Sequence, residues 1–224
     1  MPFTVAGPLL MDKTLTYLFD PLCGWCYGAG ARLARIVEDA GLPLALLPSG
    51  LFAGNGARPM SEALAAHIWS NDQRIADASG LRFSCSYRDR VLSSLKQDFD
   101  SGPATLALTA VAQHAPEQEF PVLQAIQRAR YLHGGNIVTL ASLGRLLHRL
   151  GQHEAAERLR APDQCLLQAT QARIDQAREL MLRLHLRSVP AFILDVAGQP
   201  RALTACLLFT QPDAFADEIS QLGN

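Results

Sequence analysis

The chain has 224 residues, 20 basic and 21 acidic side chains, a formal net charge of −1, and 49 % apolar residues. That balance supports one sizeable core and excludes a strongly basic nucleic-acid surface or a charged tail. No run approaches the ~18 apolar residues of a membrane span, and five cysteines are too few, and odd in number, for a disulfide scaffold.

Residues Met1 to Leu10 lack a basic n-region and a long apolar h-region, so they make a poor secretory signal; the body of the domain is expected from Met11 and the setting is expected to be cytoplasmic. Leu15 to Phe19 reads as the first strand, ended by Asp20-Pro21. Cys23-Gly24-Trp25-Cys26 follows and opens a helix that continues from Tyr27 to about Ala40. Ala31, Leu33, Ala34, Ile36 and Val37 form its buried stripe, and Gly41 suits the position just past its end. Leu42 to Leu47 is a continuous apolar run, the pattern of a buried parallel strand. Strand, helix, strand is a βαβ unit with a right-handed crossover. Residues 48–60 are a turn-rich connection whose glycines have the wrong spacing for a phosphate loop.

From Ser61 to about His185 the pattern is helical. Ser61 is placed to cap one helix, and a second short helix is predicted from Asn71 to Ser79, closed by Gly80. Leu81 to Tyr87 fits neither period. Ser101 is placed to cap a helix with Pro103 in its first turn, which ends at Pro116. Further helices are predicted over Phe120 to Leu132, Leu140 to Leu150 behind Thr139, Gln152 to Arg160, and Asp163 to about His185. Val189-Pro190 then introduces a strand from Ala191 to Val196. A turn follows at 197–200, another strand lies within Arg201 to Phe209, and a last helix is capped by Thr210, with Phe215, Ile219 and Leu222 on one face. The order is βαβ, a helical stretch, then ββα.

The two cysteines of Cys23-Gly24-Trp25-Cys26 fall one turn apart on one helix face, within reach of an unstrained disulfide. A helix N-terminus places unpaired N–H groups and partial positive charge beside Cys23, which favours the thiolate, the reactive form of the nucleophile. Cys26 lies deeper and is placed to resolve a mixed disulfide. Half a zinc site and a coincidental pair of buried thiols are the competing readings. Zinc requires two more ligands, and Cys85, Cys165 and Cys206 stand alone, so no metal is expected. Those three read as buried small hydrophobes, with a second redox pair from Cys85 and Cys165 as the alternative. His133 reads as a solvent-facing or satisfied side chain, and Tyr27 as packing.

Four stretches, Phe19 to Gly28, Ser101 to Ala104, Ala129 to Ile137 and Ser188 to Phe192, together resemble the DsbA family of the thioredoxin superfamily, in its FrnE-like branch. The resemblance implies an α/β thioredoxin-like fold (βαβ … ββα) with a large all-helical insertion. A discontinuous thioredoxin-like domain at 11–56 and 186–224 would enclose a helical insertion domain at 57–185. It implies thiol–disulfide oxidoreductase or isomerase activity without a cofactor, with Cys23 attacking and Cys26 resolving. It also implies a cis Pro190 facing the cysteines, with Val189 and Trp25 contacting substrate. The expected partners are protein or small-molecule thiols and disulfides, glutathione among them, with no nucleic acid and no membrane. The first strand departs from the family in carrying no acidic residue, which leaves Asp20 or a water to take the proton of Cys26. The runner-up function is a glutathione-dependent isomerase or transferase of the kappa or 2-hydroxychromene-2-carboxylate isomerase type, which needs no resolving cysteine. A non-enzymatic binding module is the third reading. Gly24-Trp25 puts no cation between the cysteines, so the potential is expected clearly below the about −120 mV of strong oxidants.

Overall fold

The computed structural model describes residues 13–222; the expectations for the leader and for a start at Met11 lie outside them. A four-stranded sheet is built on β1 (Lys13–Phe19), which pairs in parallel with β2 (Leu44–Pro48) and antiparallel with β5 (Ala191–Val196). β6 (Gln199–Ala202) closes the order β2-β1-β5-β6. Central position explains the composition of β1: Leu15, Tyr17, Leu18 and Phe19 have no exposed surface, so both faces are covered. The β5–β6 turn uses Ala197 and Gly198, both at positive φ, which is the two-residue hairpin geometry that matches strand twist.

Helix α1 (Gly24–Ala40) makes the crossover between β1 and β2 and stops at Gly41, whose φ of 60° and backbone bond to Glu38 form a left-handed cap. Helix α2 (Glu62–Ser79) is continuous, whereas the sequence predicts two helices there. No Gly or Pro interrupts 62–79, so the backbone ladder runs on from Ser61, whose Oγ accepts the Leu64 N–H, to Gly80. Helix α3 (Cys85–Tyr87) runs into a π-helical turn at Arg88–Leu92, so the ambiguous stretch is irregular over 81–84 and helical from Cys85. Helices α4 (Gly102–His114), α5 (Glu119–Tyr131), α6 (Leu140–Arg149), α7 (His153–Arg158) and α8 (Gln164–Arg183) follow close to the predicted places. The stretch between β2 and β5 is helical apart from one antiparallel pairing of β3 (Arg58–Pro59) with β4 (Asp98–Phe99), too short to show as a period in sequence.

Of two predicted caps, Ser101 holds the N-cap position of α4 without a side-chain cap bond, and Thr210 does not cap the last helix. The Ser101 side chain donates instead to Asp20. Thr210 ends the short helix α9 (Leu207–Thr210) by bonding the Cys206 carbonyl, and the last helix α10 (Pro212–Gln221) begins after Gln211. The strand predicted within Arg201 to Phe209 is β6, shifted toward the turn, and its second half is α9. Aromatic packing joins the layers: the Tyr17 ring stacks on Phe192 across the β1–β5 pair, at 5.3 Å, and meets Phe120 of α5 edge-on. Phe192 in turn meets Phe215 of α10. Among the described residues, no helix is long and apolar enough to cross a membrane.

Candidate active site at the start of the first helix

Asp20-Pro21-Leu22 turns the chain from β1 into α1, with the Cys23 N–H bonded to the Asp20 carbonyl. Cys23 is the N-cap, in extended conformation, and makes no side-chain cap bond, so its sulfur is left for other partners. Sγ donates to the Val189 carbonyl at 3.6 Å, a long sulfur contact. The Val189–Pro190 peptide is cis and both residues are buried. The fold therefore brings Cys23, Cys26, Val189 and Pro190 together from opposite ends of the sequence. Both cysteines are free thiols. Burial pushes the Cys26 thiol well up, reinforced by its hydrogen bond with Cys23 and by the nearby charges of Cys23 and Asp20.

Tyr17 and Asp20 lie around Cys26. The Tyr17 hydroxyl donates to the Cys26 carbonyl at 3.0 Å, so a phenol occupies the middle of the first strand. The Asp20 carboxylate accepts from the Leu22 and Phe52 N–H groups and from the Ser101 hydroxyl, at 2.9, 3.1 and 2.8 Å. Burial pushes its carboxyl up and these donors oppose the shift. Tyr131 donates to the Leu22 carbonyl at 2.7 Å and stacks on Tyr27, which packs as the sequence suggests. Trp25 is half-buried, with its ring edge-on to Phe209 at 5.1 Å. Arg32 is engaged by the Leu208 and Phe209 carbonyls.

Helix α2 closes the other side. A Cβ on Gly24 would lie 2.6 Å from Asp72 Oδ1 and 2.8 Å from Ile75 Cδ1, and one on Gly28 would lie 2.9 Å from Ile75 Cγ2. Two glycines one turn apart thus let α1 lie directly on α2. Asp72 is fixed by the Tyr87 hydroxyl at 2.9 Å, so it has little room to yield. Gly24→Ala gains at most ~1 kcal/mol of helix propensity and incurs an overpacking cost of ~1–3 kcal/mol. A net loss of about 1 kcal/mol in urea denaturation is the expected result, and a stabilised variant would contradict this packing.

Asp72 is 2 % exposed, and burial pushes its carboxyl up to about 7 against the Tyr87 bond and the Arg130 charge. Folded protein then holds a proton that unfolded chain, with a value near ~3.9, has released. Stability is therefore expected to fall as pH rises from about 4 to 7 on this group's account, and Asp20 and Glu119, also pushed up by burial, act in the same direction. Urea midpoints at about pH 4.5 and 7.5 measure the slope, which Asp72→Asn should flatten.

Three sequence expectations are corrected here: Cys85, Cys165 and Cys206 are exposed, not buried, because each sits near a helix start on an outer face. His133 is exposed, as the sequence suggests. Asp72, Tyr87 and Arg130 are the residues that sequence reasoning passes over. Arg130 and Tyr131 fall within one of the stretches that carry the family resemblance; Asp72 has no local signal.

No protein-family model and no curated protein matches the chain. Solved structures do. The cytosolic disulfide reductase DsbM from Pseudomonas aeruginosa is 33 % identical, with 93 % of this chain and 98 % of that one covered and a TM-score of 0.81. Its structure with GSH superposes at a TM-score of 0.80. A Nitrosomonas europaea protein provisionally named a protein disulfide isomerase is 22 % identical over 94 % of this chain and 97 % of its own, with a TM-score of 0.78. A Streptomyces coelicolor protein provisionally named a DsbA oxidoreductase is 21 % identical over 93 % and 89 %, with a TM-score of 0.62. The last two share the fold. With a third of its residues identical to a disulfide reductase across nearly the whole of both chains, this chain belongs to the DsbA family of thiol–disulfide oxidoreductases.

Proposed function

We propose that this enzyme exchanges disulfides through Cys23 and Cys26, working in the reducing direction in a cytoplasm. The observation that carries the reading is the placing of one slightly exposed and one fully buried thiol at a helix start, against the Val189 carbonyl. The Cys23 thiolate attacks one sulfur of a substrate disulfide. That S–S bond breaks, and the departing thiolate takes a proton. Cys26 then gives up its proton and attacks the Cys23 sulfur, so the second substrate thiol leaves and a Cys23–Cys26 disulfide remains. Two equivalents of a thiol such as glutathione return it to the dithiol and become oxidised.

Asp20 is the proton acceptor we assign to Cys26, since its charge acts on that thiol and it is buried beside it. The Val189–Pro190 segment is the edge on which an extended substrate would lie, in the manner of strand addition, and Trp25 borders it. The helices at 57–185 are read as a separate domain inserted into the thioredoxin-like one at 11–56 and 186–224. DsbM is described as cytosolic and has been solved with GSH, which supports the compartment and glutathione as a partner. A resolving Cys26 under Cys23 favours exchange over the glutathione transferase or isomerase reading.

Incubation with oxidised glutathione, read by intact mass, tests this directly. With Cys85, Cys165 and Cys206 replaced by serine, the expected product is a loss of two hydrogens with release of reduced glutathione. Stable glutathione adducts on that protein, with no internal disulfide, would sink the reading. Equilibration in glutathione redox buffer should place the potential well below the about −120 mV of strong oxidants; a value at that level would contradict the reductive direction.

A further inference from the structure

Asp72 belongs to α2, yet its carboxyl lies at the first residue of α1. Oδ1 is 2.6 Å from where a Cβ on Gly24 would be, and Gly24 is joined to Cys23. The first turn of α1 holds no acidic residue of its own, so Asp72 supplies one from a neighbouring helix. Oδ2 is held by Tyr87. Arg130 is 2 % exposed, its Nε and Nη2 have no partner, and it lies over the rings of Tyr87, Phe99 and Tyr131. Among the described residues it forms no ion pair with Asp72, so it favours a negative charge in this cluster without neutralising it.

We propose that Asp72 is a positioning residue of the redox pair: it binds a proton when the Cys23–Cys26 disulfide is reduced and releases it on oxidation. This rests on the reading of those two cysteines as the redox centre. A thiolate at Cys23 and a carboxylate at Asp72 would be two like charges at one helix end, which is unfavourable. Disulfide formation removes the first charge. Reduction by a dithiol then adds two electrons to the S–S bond and one proton to Cys26. The second proton that the dithiol gives up goes to Asp72 in place of the Cys23 sulfur. Without Asp72 only one proton would be taken up in that state.

Other titratable groups lie on the elements packed around Asp72. Near the helix start these are Cys23, Cys26 and Tyr27 on α1 and Tyr87, Arg130 and Tyr131 on α3 and α5; Arg32, Arg35, Glu38 and Asp39 of α1, Cys85 of α3, and Glu119 and Arg128 of α5 lie elsewhere on those helices. The π-helical turn carries Arg88, Asp89 and Arg90, all exposed, and α9 has none. Burial pushes Tyr87 and Tyr131 far up, leaving them neutral throughout. Asp72 itself is pushed up to about 7 by burial at this helix end.

Equilibration of wild type, Asp72→Asn and Tyr87→Phe with dithiothreitol redox buffers from about pH 5 to 8 tests the proposal. The wild-type reduction potential should fall with pH by up to about 30 mV per unit more than that of Asp72→Asn, one extra proton in a two-electron couple, which leaves the exchange constant with the dithiol nearly flat in wild type and changing by up to tenfold per unit in Asp72→Asn. Tyr87→Phe keeps the carboxyl but removes its donor, so the steep region should move to higher pH. Reduced-minus-oxidised infrared spectra should show a protonated carboxyl band that Asp72→Asn lacks and Asp20→Asn retains. Equal pH dependence in wild type and Asp72→Asn overturns the proposal, as does a band lost only in Asp20→Asn. If Asp72→Asn does not fold, an unmoved steep region in Tyr87→Phe overturns it. A wild-type protein with no reversible Cys23–Cys26 couple overturns the parent reading and this one with it.

Discussion

Cys26→Ser protein mixed with a disulfide substrate is expected to stop at a covalent adduct on Cys23, while Cys23→Ser forms none. The exposures decide the direction. Cys23 is 7 % exposed and Cys26 is 0 %, so of the two residues Cys23 is the one that reaches the surface an incoming disulfide meets. Once Cys23 carries the substrate, the thiol beneath it displaces the bond when no other thiol is added, and the hydroxyl that replaces the Cys26 thiol in the variant cannot. Loss of the attacking nucleophile should lower catalysed exchange by on the order of 10⁴-fold or more, as removal of a nucleophile does in other enzymes that work through a covalent intermediate. The three exposed cysteines, Cys85, Cys165 and Cys206, would form adducts of their own, so they should be replaced by serine in every protein compared. Peptide mapping of the adduct reads the result. An adduct that accumulates on Cys26 in Cys23→Ser would reverse the two roles.

Arg173→Ala is expected to cost about 3–5 kcal/mol, the range for breaking a buried ion pair by removing one partner. Arg173 reaches from α8 to the Glu119 carboxylate at the start of α5, to the Leu46 carbonyl on β2, and to Thr109 of α4. It therefore ties the sheet to three helices. Its removal strands Glu119, which is 5 % exposed, and an unpaired buried carboxylate is far more costly than the pair was favourable. Against a typical total of ~5–15 kcal/mol the loss is a large fraction. Glu119→Gln should cost less, because the amide still accepts a hydrogen bond and leaves no buried negative charge. Urea midpoints of the three proteins compare these effects. An unchanged midpoint for Arg173→Ala would mean that the bonded network adds nothing to stability.

Much of the frame is legible in the residues alone. The apolar run at 15–19, the helical period after Cys26 and the run at 42–47 make a βαβ unit, and the observed β1-α1-β2 has that order with Gly41 at its cap. These are local patterns, set by strand and helix periodicity and by turn chemistry, so a single chain displays them. The same holds for the one-turn spacing of Cys23 and Cys26. The pattern over 62–79 divides in two because two weak apolar patches look like two helices when the neighbours that bury them are unseen. Ser101 looks like a cap because its position fits one; a buried carboxylate 81 residues away takes its hydroxyl instead.

What surrounds the thiols is set by long-range packing. Val189 reaches Cys23 across 166 residues, Tyr131 reaches Leu22 across 109, and Asp72 meets Gly24 because two glycines let a pair of helices touch. The three outlying cysteines are exposed because which side of a short helix faces water depends on what packs against the other side. Burial, and with it the charge state of Asp20, Cys26 and Asp72, follows from the sum of such long-range contacts. No local window of sequence contains that sum, since the dielectric around a group is fixed by neighbours that only folding brings near.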